Sequence, residues 1–139
     1  MNKTIIMVAA AVLVLVLLAG IGYLVWYKRS TRSLKVEHFQ PKWQELQKLL
    51  KDKAKWAEAI LDADKLLDEA LKKKRIKGRS MGARLVKAQR LFSDNDSLWF
   101  GHKLRNKIDT QPDVKLKQKE VKQALLGIRQ GLKDLGALE

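Results

Sequence analysis

Apolar residues along this chain fall into two patterns. From Ile5 to Tyr27 they form a run of 23 residues without a single charge. At ~1.5 Å of rise per residue a helix of this run reaches about 34 Å, enough to cross a hydrocarbon core of about 30 Å. In lipid it must be helical, because only a helix satisfies its own backbone polar groups there. Beyond it, apolar residues recur every three or four positions, the spacing of amphipathic helices. Trp43, Leu46 and Leu50 predict a helix over about 41–52, with Pro41 in its first turn, where a missing N–H costs nothing. Trp56, Ile60, Ala63, Leu67 and Ala70 predict the next, followed by Gly78 as its stop.

Ser80 offers an N-cap for a third helix with apolar positions Met81, Leu85, Ala88 and Phe92. Ser93-Asp94-Asn95-Asp96 supplies turn chemistry and the next cap, before a helix over about 97–108. Pro112 breaks the chain. Val121, Leu125, Ile128, Leu132 and Leu135 then mark a last helix with spacings of 4, 3, 4 and 3. No stretch alternates as a strand would. The pattern predicts an all-α protein: residues 1–4 as a short non-cytoplasmic N-terminus, 5–27 as a transmembrane helix, 28–40 (KRSTRSLKVEHFQ) as a polar juxtamembrane linker, and 41–139 as a bundle of four or five helices.

Charge sharpens this division. Residues 28–139 hold 28 of the 29 Lys and Arg and all 15 Asp and Glu, a net of +13. Tyr23, Trp26 and Tyr27 suit a headgroup layer, and Lys28, Arg29, Arg32 and Lys35 follow them, against only Lys3 on the other side. The positive-inside rule places the C-terminal part in the cytoplasm, with the anchor in the inner membrane. A cleaved signal peptide would have an apolar region of ~7–15 residues and a small-residue cleavage site; this run is longer and ends in Tyr, Trp, Lys and Arg. The four juxtamembrane cations are candidate contacts for anionic lipid, at roughly 1 kcal/mol each. A second basic run, Lys72, Lys73, Lys74, Arg75, Lys77 and Arg79, is a candidate for phosphate or lipid. Its competing reading is a solvated helix end, stabilised by the helix dipole and by carboxylates one turn back.

Chemistry is sparse. Without cysteine there are no disulfides, thiolate zinc sites or cysteine nucleophiles, and two histidines, His38 and His102, are too few for a histidine-built metal site. No metal or cofactor is expected. The carboxylates Asp62, Asp64 and Asp68 sit among lysines, with no Glu-x-x-His partner on a facing helix, so no catalytic pair is read from them. Trp43, Trp56, Trp99 and Phe100 have core spacing rather than that of a base-stacking platform.

The segment Trp99 to Ile108 (WFGHKLRNKI), with WAEAILDADKLLDEALKKK and the KGRSMGARL turn before it, resembles the HEPN superfamily. The resemblance covers about residues 56–138. It implies a helical bundle that often pairs with a second copy, and, in many members, ribonuclease or RNA-binding activity. The family signature is an Arg followed after four to six residues by a His, with a polar residue next to the Arg. Arg105 and Asn106 match its first half. The histidine is absent, since Lys107, Ile108, Asp109, Thr110, Gln111, Pro112 and Asp113 follow. Arginine can stabilise a phosphorane but cannot take a proton from a ribose hydroxyl near neutral pH, a role suited to histidine.

His102 stands three residues before Arg105, and an ideal helix turns its side chain about 60° away. It is therefore expected to reach Arg105 only from a second subunit or through a distorted helix. Arg105 itself is expected to cap backbone carbonyls at the helix end. The sequence reads as a membrane-anchored, non-catalytic interaction module with an unidentified protein partner and weak association with nucleic acid. The alternative is a membrane-tethered HEPN-type ribonuclease or RNA-binding protein using Arg105, Asn106 and His102.

Overall fold

The computed structural model describes residues 2–30 and 33–139, the side chains of Arg29 and Ser30 excepted. The described residues are all-helical, with no strand. They fall into two units, Met1–Arg32 and Ser33–Glu139. The first unit is one helix, α1 (Lys3–Ser30), long and apolar enough to cross a membrane. Its apolar side chains are exposed along their length. Tyr23 lies 6.2 Å from Trp26 and 6.3 Å from Tyr27, ring centre to ring centre, so the aromatic end forms one cluster. Of the four cations that follow the apolar run, Lys28 and Lys35 are exposed, while the Arg29 side chain and Arg32 lie outside the described residues.

The second unit holds five α-helices: α2 (Val36–Lys48), α3 (Trp56–Lys73), α4 (Met81–Lys87), α5 (Asn95–Thr110) and α6 (Gln118–Asp134). Short 3₁₀ turns at Leu49–Lys51, Lys53–Lys55 and Gln89–Leu91 join them. Helix α3 is central: α2, α4, α5 and α6 all pack on it, and α5 and α6 pack most extensively on each other. The apolar stripe of α6 is buried at all five expected positions, Val121, Leu125, Ile128, Leu132 and Leu135. At the α5–α6 crossing Gly127 brings the two backbones together, since a Cβ there would collide with the Ser97 carbonyl.

The caps follow the sequence. Ser80 Oγ accepts from the Ala83 N–H at 3.2 Å to start α4, and Asp94 Oδ1 accepts from the Ser97 N–H at 3.1 Å to start α5. Helix α5 accordingly runs two residues further at each end than the 97–108 expected. At the other end of α6, Gly136 takes φ +80° and the Ala137 N–H returns to the Leu132 carbonyl. Helix α3 closes by the same motif, with the Ile76 N–H on the Leu71 carbonyl, but the left-handed residue is Arg75, φ 61°. Gly78 is therefore not the stop signal; α3 ends five residues before it.

The polar linker expected over 28–40 is largely helix. Helix α1 continues to Ser30, and α2 begins at Val36, five residues before Pro41. Phe39, assigned to that linker, is fully buried, and Leu34 is buried with it. Pro41 sits in the second turn of α2, where it leaves the Glu37 carbonyl without its helical donor. Burial of Phe39, Trp43 and Leu46 against α3 carries the helix through it. At its far end α2 stops at Lys48, and the expected extension to 52 is a 3₁₀ turn. The third helix likewise shortens: α4 stops at Lys87, and Ala88 and Phe92 are buried from the turn that follows.

A candidate site between α3, α4 and α5

Asp64 and His102 are the two polar residues set into otherwise apolar stripes of adjoining helices. Asp64 falls four residues after Ile60 and three before Leu67, and His102 falls four after Leu98. Both are buried, at 3% and 7% exposure. They meet across the α3–α5 interface, His102 Nδ1 to Asp64 Oδ1 at 3.0 Å. With the carboxylate as acceptor, Nδ1–H donates, and Nε2 is turned to the other side of the ring. There the ring faces Gly82, where a Cβ would stand 3.9 Å from Nε2. The Trp99 ring meets the imidazole edge to face at 5.8 Å.

Arg105 joins the same carboxylate, Nε to Asp64 Oδ2 at 3.6 Å. The expectation that His102 points away from Arg105 is thus corrected: one turn apart on α5, the two side chains converge on Asp64 within a single chain. The helix is regular here, and the convergence comes from the length of the Arg105 side chain rather than from distortion. Arg105 is also not a carbonyl cap. Its Nη1 lies 3.1 Å from Asp109 Oδ2 and donates to Asn106 Oδ1 at 3.2 Å. Asp64 is the site residue missed by reading the sequence for catalytic motifs. Its signal was a carboxylate in a core-facing register, matched by a histidine in the same kind of register on another helix.

These residues line a cleft of about 860 Å³. Its charges cancel: Asp62, Asp64, Asp68 and Asp109 stand against Lys65, Arg84, Lys103 and Arg105. Arg84 is bound on every side, with Nε to Asp68 Oδ1 at 2.7 Å, Nη2 to Asp68 Oδ2 at 3.0 Å and Nη1 to the Gly78 carbonyl at 2.8 Å. Burial works against the charge on Asp68, but Arg84 and Lys72 outweigh it and hold the carboxyl below the ordinary aspartate range. Thr110, in the window where the HEPN resemblance implies a histidine, is exposed, and its hydroxyl donates back to the Asn106 carbonyl at 3.0 Å. No group of three or more metal-ligating side chains exists among the described residues.

The basic run at the end of α3 is not one surface. Lys72 pairs with Asp68 at 3.2 Å and Lys73 with Glu69 at 3.9 Å, the one-turn spacing expected of a neutralised helix end. Lys74 is buried, and burial lowers its pKa, so it is not part of a solvated face. Arg75, Lys77 and Arg79 are exposed. Comparison of the chain with protein-family models, characterised proteins and solved structures gives no match.

Proposed function

We propose that this chain is a membrane-anchored, non-catalytic interaction module. Helix α1 is its single-pass anchor in the cytoplasmic membrane, and the HEPN-like helical unit lies on the cytoplasmic side and recruits a protein partner. The observation that carries this reading is the state of Arg105. Its guanidinium is engaged by Asp64, Asp109 and Asn106, so the one cation that matches the family signature is already neutralised from within. A phosphate entering the cleft would have to displace those carboxylates in a site with no net positive charge.

A ribonuclease or RNA-binding reading has one observation in its favour. Asp64 holds an imidazole and a guanidinium at the edge of one cleft, the two side-chain types that ribose-hydroxyl chemistry requires.

Imidazole NMR separates the two readings. His102 resonances of the full chain are followed while inorganic phosphate or a ribonucleoside 3′-monophosphate is added at physiological salt. The non-catalytic reading predicts no saturable shift. A saturable shift that disappears in Arg105→Ala favours the second reading. Topology is read separately, with C-terminal phosphatase and cytoplasm-only fluorophore fusions. Fluorescence without phosphatase activity is expected, and phosphatase activity overturns the cytoplasmic placement.

A further inference from the structure

Helices α2 and α6 both pack on α3 and leave a groove of about 390 Å³ between them. One wall is Trp43, Leu50 and Trp56; the other is Val121, Leu125 and Leu126. Trp56 is fixed in place by its indole N–H, which donates to the Leu50 carbonyl at 3.0 Å. Leu126 is 55% exposed, one of two large apolar side chains of the helical unit left so open among the described residues. The apolar face of α6 is therefore wider than its packing on α3 and α5 uses.

The rim has one sign of charge. Lys122 and Arg129 line the groove, no carboxylate does, and neither cation has an ion-pair partner among the described residues. Seven residues apart on α6, they stand about 10.5 Å apart along the helix axis, two turns on one side.

We propose that this groove is the docking site for an acidic amphipathic helix of a partner protein, with apolar anchors one and two turns apart and carboxylates two turns apart facing Lys122 and Arg129. Charge complementarity selects the occupant. An apolar floor asks for leucine-type anchors, and a rim of two uncompensated cations without an anion asks for carboxylates at matching spacing. A bilayer surface is planar and does not fill a concave groove, whereas the ridge of a helix does. Residues 33–139 carry 25 Lys and Arg against 15 Asp and Glu, and this net of +10 steers an acidic partner toward the unit. This inference deepens the interaction-module reading and rests on it, by naming the surface and the chemistry of the partner.

The test uses the full chain in nanodiscs of zwitterionic lipid. The probe is a labelled helical peptide of about 14 residues, four turns, carrying leucine anchors and two glutamates seven apart; its counterpart has lysines in place of the glutamates. Fluorescence anisotropy is expected to show roughly tenfold preference for the acidic peptide at low salt, weakening as salt rises. Lys122→Glu with Arg129→Glu should invert that preference, and Leu126→Glu should weaken both peptides, each variant retaining wild-type helicity by circular dichroism.

Equal binding of both peptides overturns the proposal, as does a preference unchanged by the charge reversal. It is equally overturned if Leu126→Glu abolishes only binding to anionic vesicles, or only self-association of the chain. Failure of the parent reading shows elsewhere, as nucleotide-dependent shifts of His102 with the groove variants silent.

Discussion

Asp64 on α3 accepts from His102 on α5 at 3.0 Å across 38 residues of sequence, with both side chains almost fully buried. A carboxylate taken out of water needs partners, and removing one partner of a buried pair is far more costly than replacing both. Asp64→Ala should therefore destabilise the helical unit by about 3–5 kcal/mol. A double-mutant cycle with His102→Ala should return a coupling of at least about 1.5 kcal/mol, measured by denaturant unfolding. Additive single effects would show that the contact contributes nothing specific.

Two glycine-related positions should respond in opposite directions. Arg75 occupies a left-handed conformation that glycine adopts without cost, so Arg75→Gly is expected to stabilise the unit by roughly 1 kcal/mol. Gly127→Ala places a methyl against the Ser97 backbone and should cost about 3 kcal/mol or more, because neither helix can yield without opening the α5–α6 crossing. Gly82→Ala is the control: its nearest neighbour would be Trp99 Cη2 at 3.8 Å, an ordinary contact. Thermal unfolding of the three variants ranks them.

Acid should weaken the fold through Asp68 and Glu69. Asp68 is held below the ordinary aspartate range by Arg84 and Lys72, against the opposing effect of burial. At Glu69, too, burial is opposed, here by His38 and Lys42. A carboxyl whose folded-state pKa is depressed adds stability above its unfolded value, about 3.9 for aspartate, and that contribution is lost as pH falls toward the folded value. Asp68→Asn should flatten the acid limb of a stability–pH profile, and Arg84→Met should cost about 1.5–3 kcal/mol at neutral pH. An unchanged acid limb in Asp68→Asn would contradict the assignment.

The helical unit begins earlier than its sequence suggests, which has a measurable consequence. Phe39 is fully buried, so a fragment starting at Pro41 loses a core aromatic that one starting at Ser33 keeps. The longer fragment should be more stable by about 3–5 kcal/mol. Equal stabilities would place Phe39 outside the core.

That early start was hidden by its surroundings. Phe39 stands four residues before Trp43, and Val36 three before Phe39, so the helical spacing runs back through this stretch, but Pro41 reads as a first-turn residue and points to a later start. Tertiary burial of Phe39 overrides it. By contrast, the buried stripe of α6 was legible, because five apolar residues in strict 4, 3, 4, 3 order admit one buried face. The Asp64–His102 pair lay between these cases. Each residue is out of place in an apolar stripe, but only the packing of α3 on α5 joins them. The groove beside Leu126 depends on where α2 and α6 lie on α3, which no single stretch of sequence encodes.

The most direct measurement is RNA turnover by the full chain in detergent micelles, near neutral pH and at low salt, beside His102→Ala and Arg105→Ala. With Arg105 neutralised by Asp64 and Asp109 and the motif histidine absent, the wild type should bind labelled RNA only weakly and in a salt-sensitive way, and should leave it intact. Cleavage by the wild type that disappears in both variants would contradict the non-catalytic account and make Asp64, His102 and Arg105 an active site.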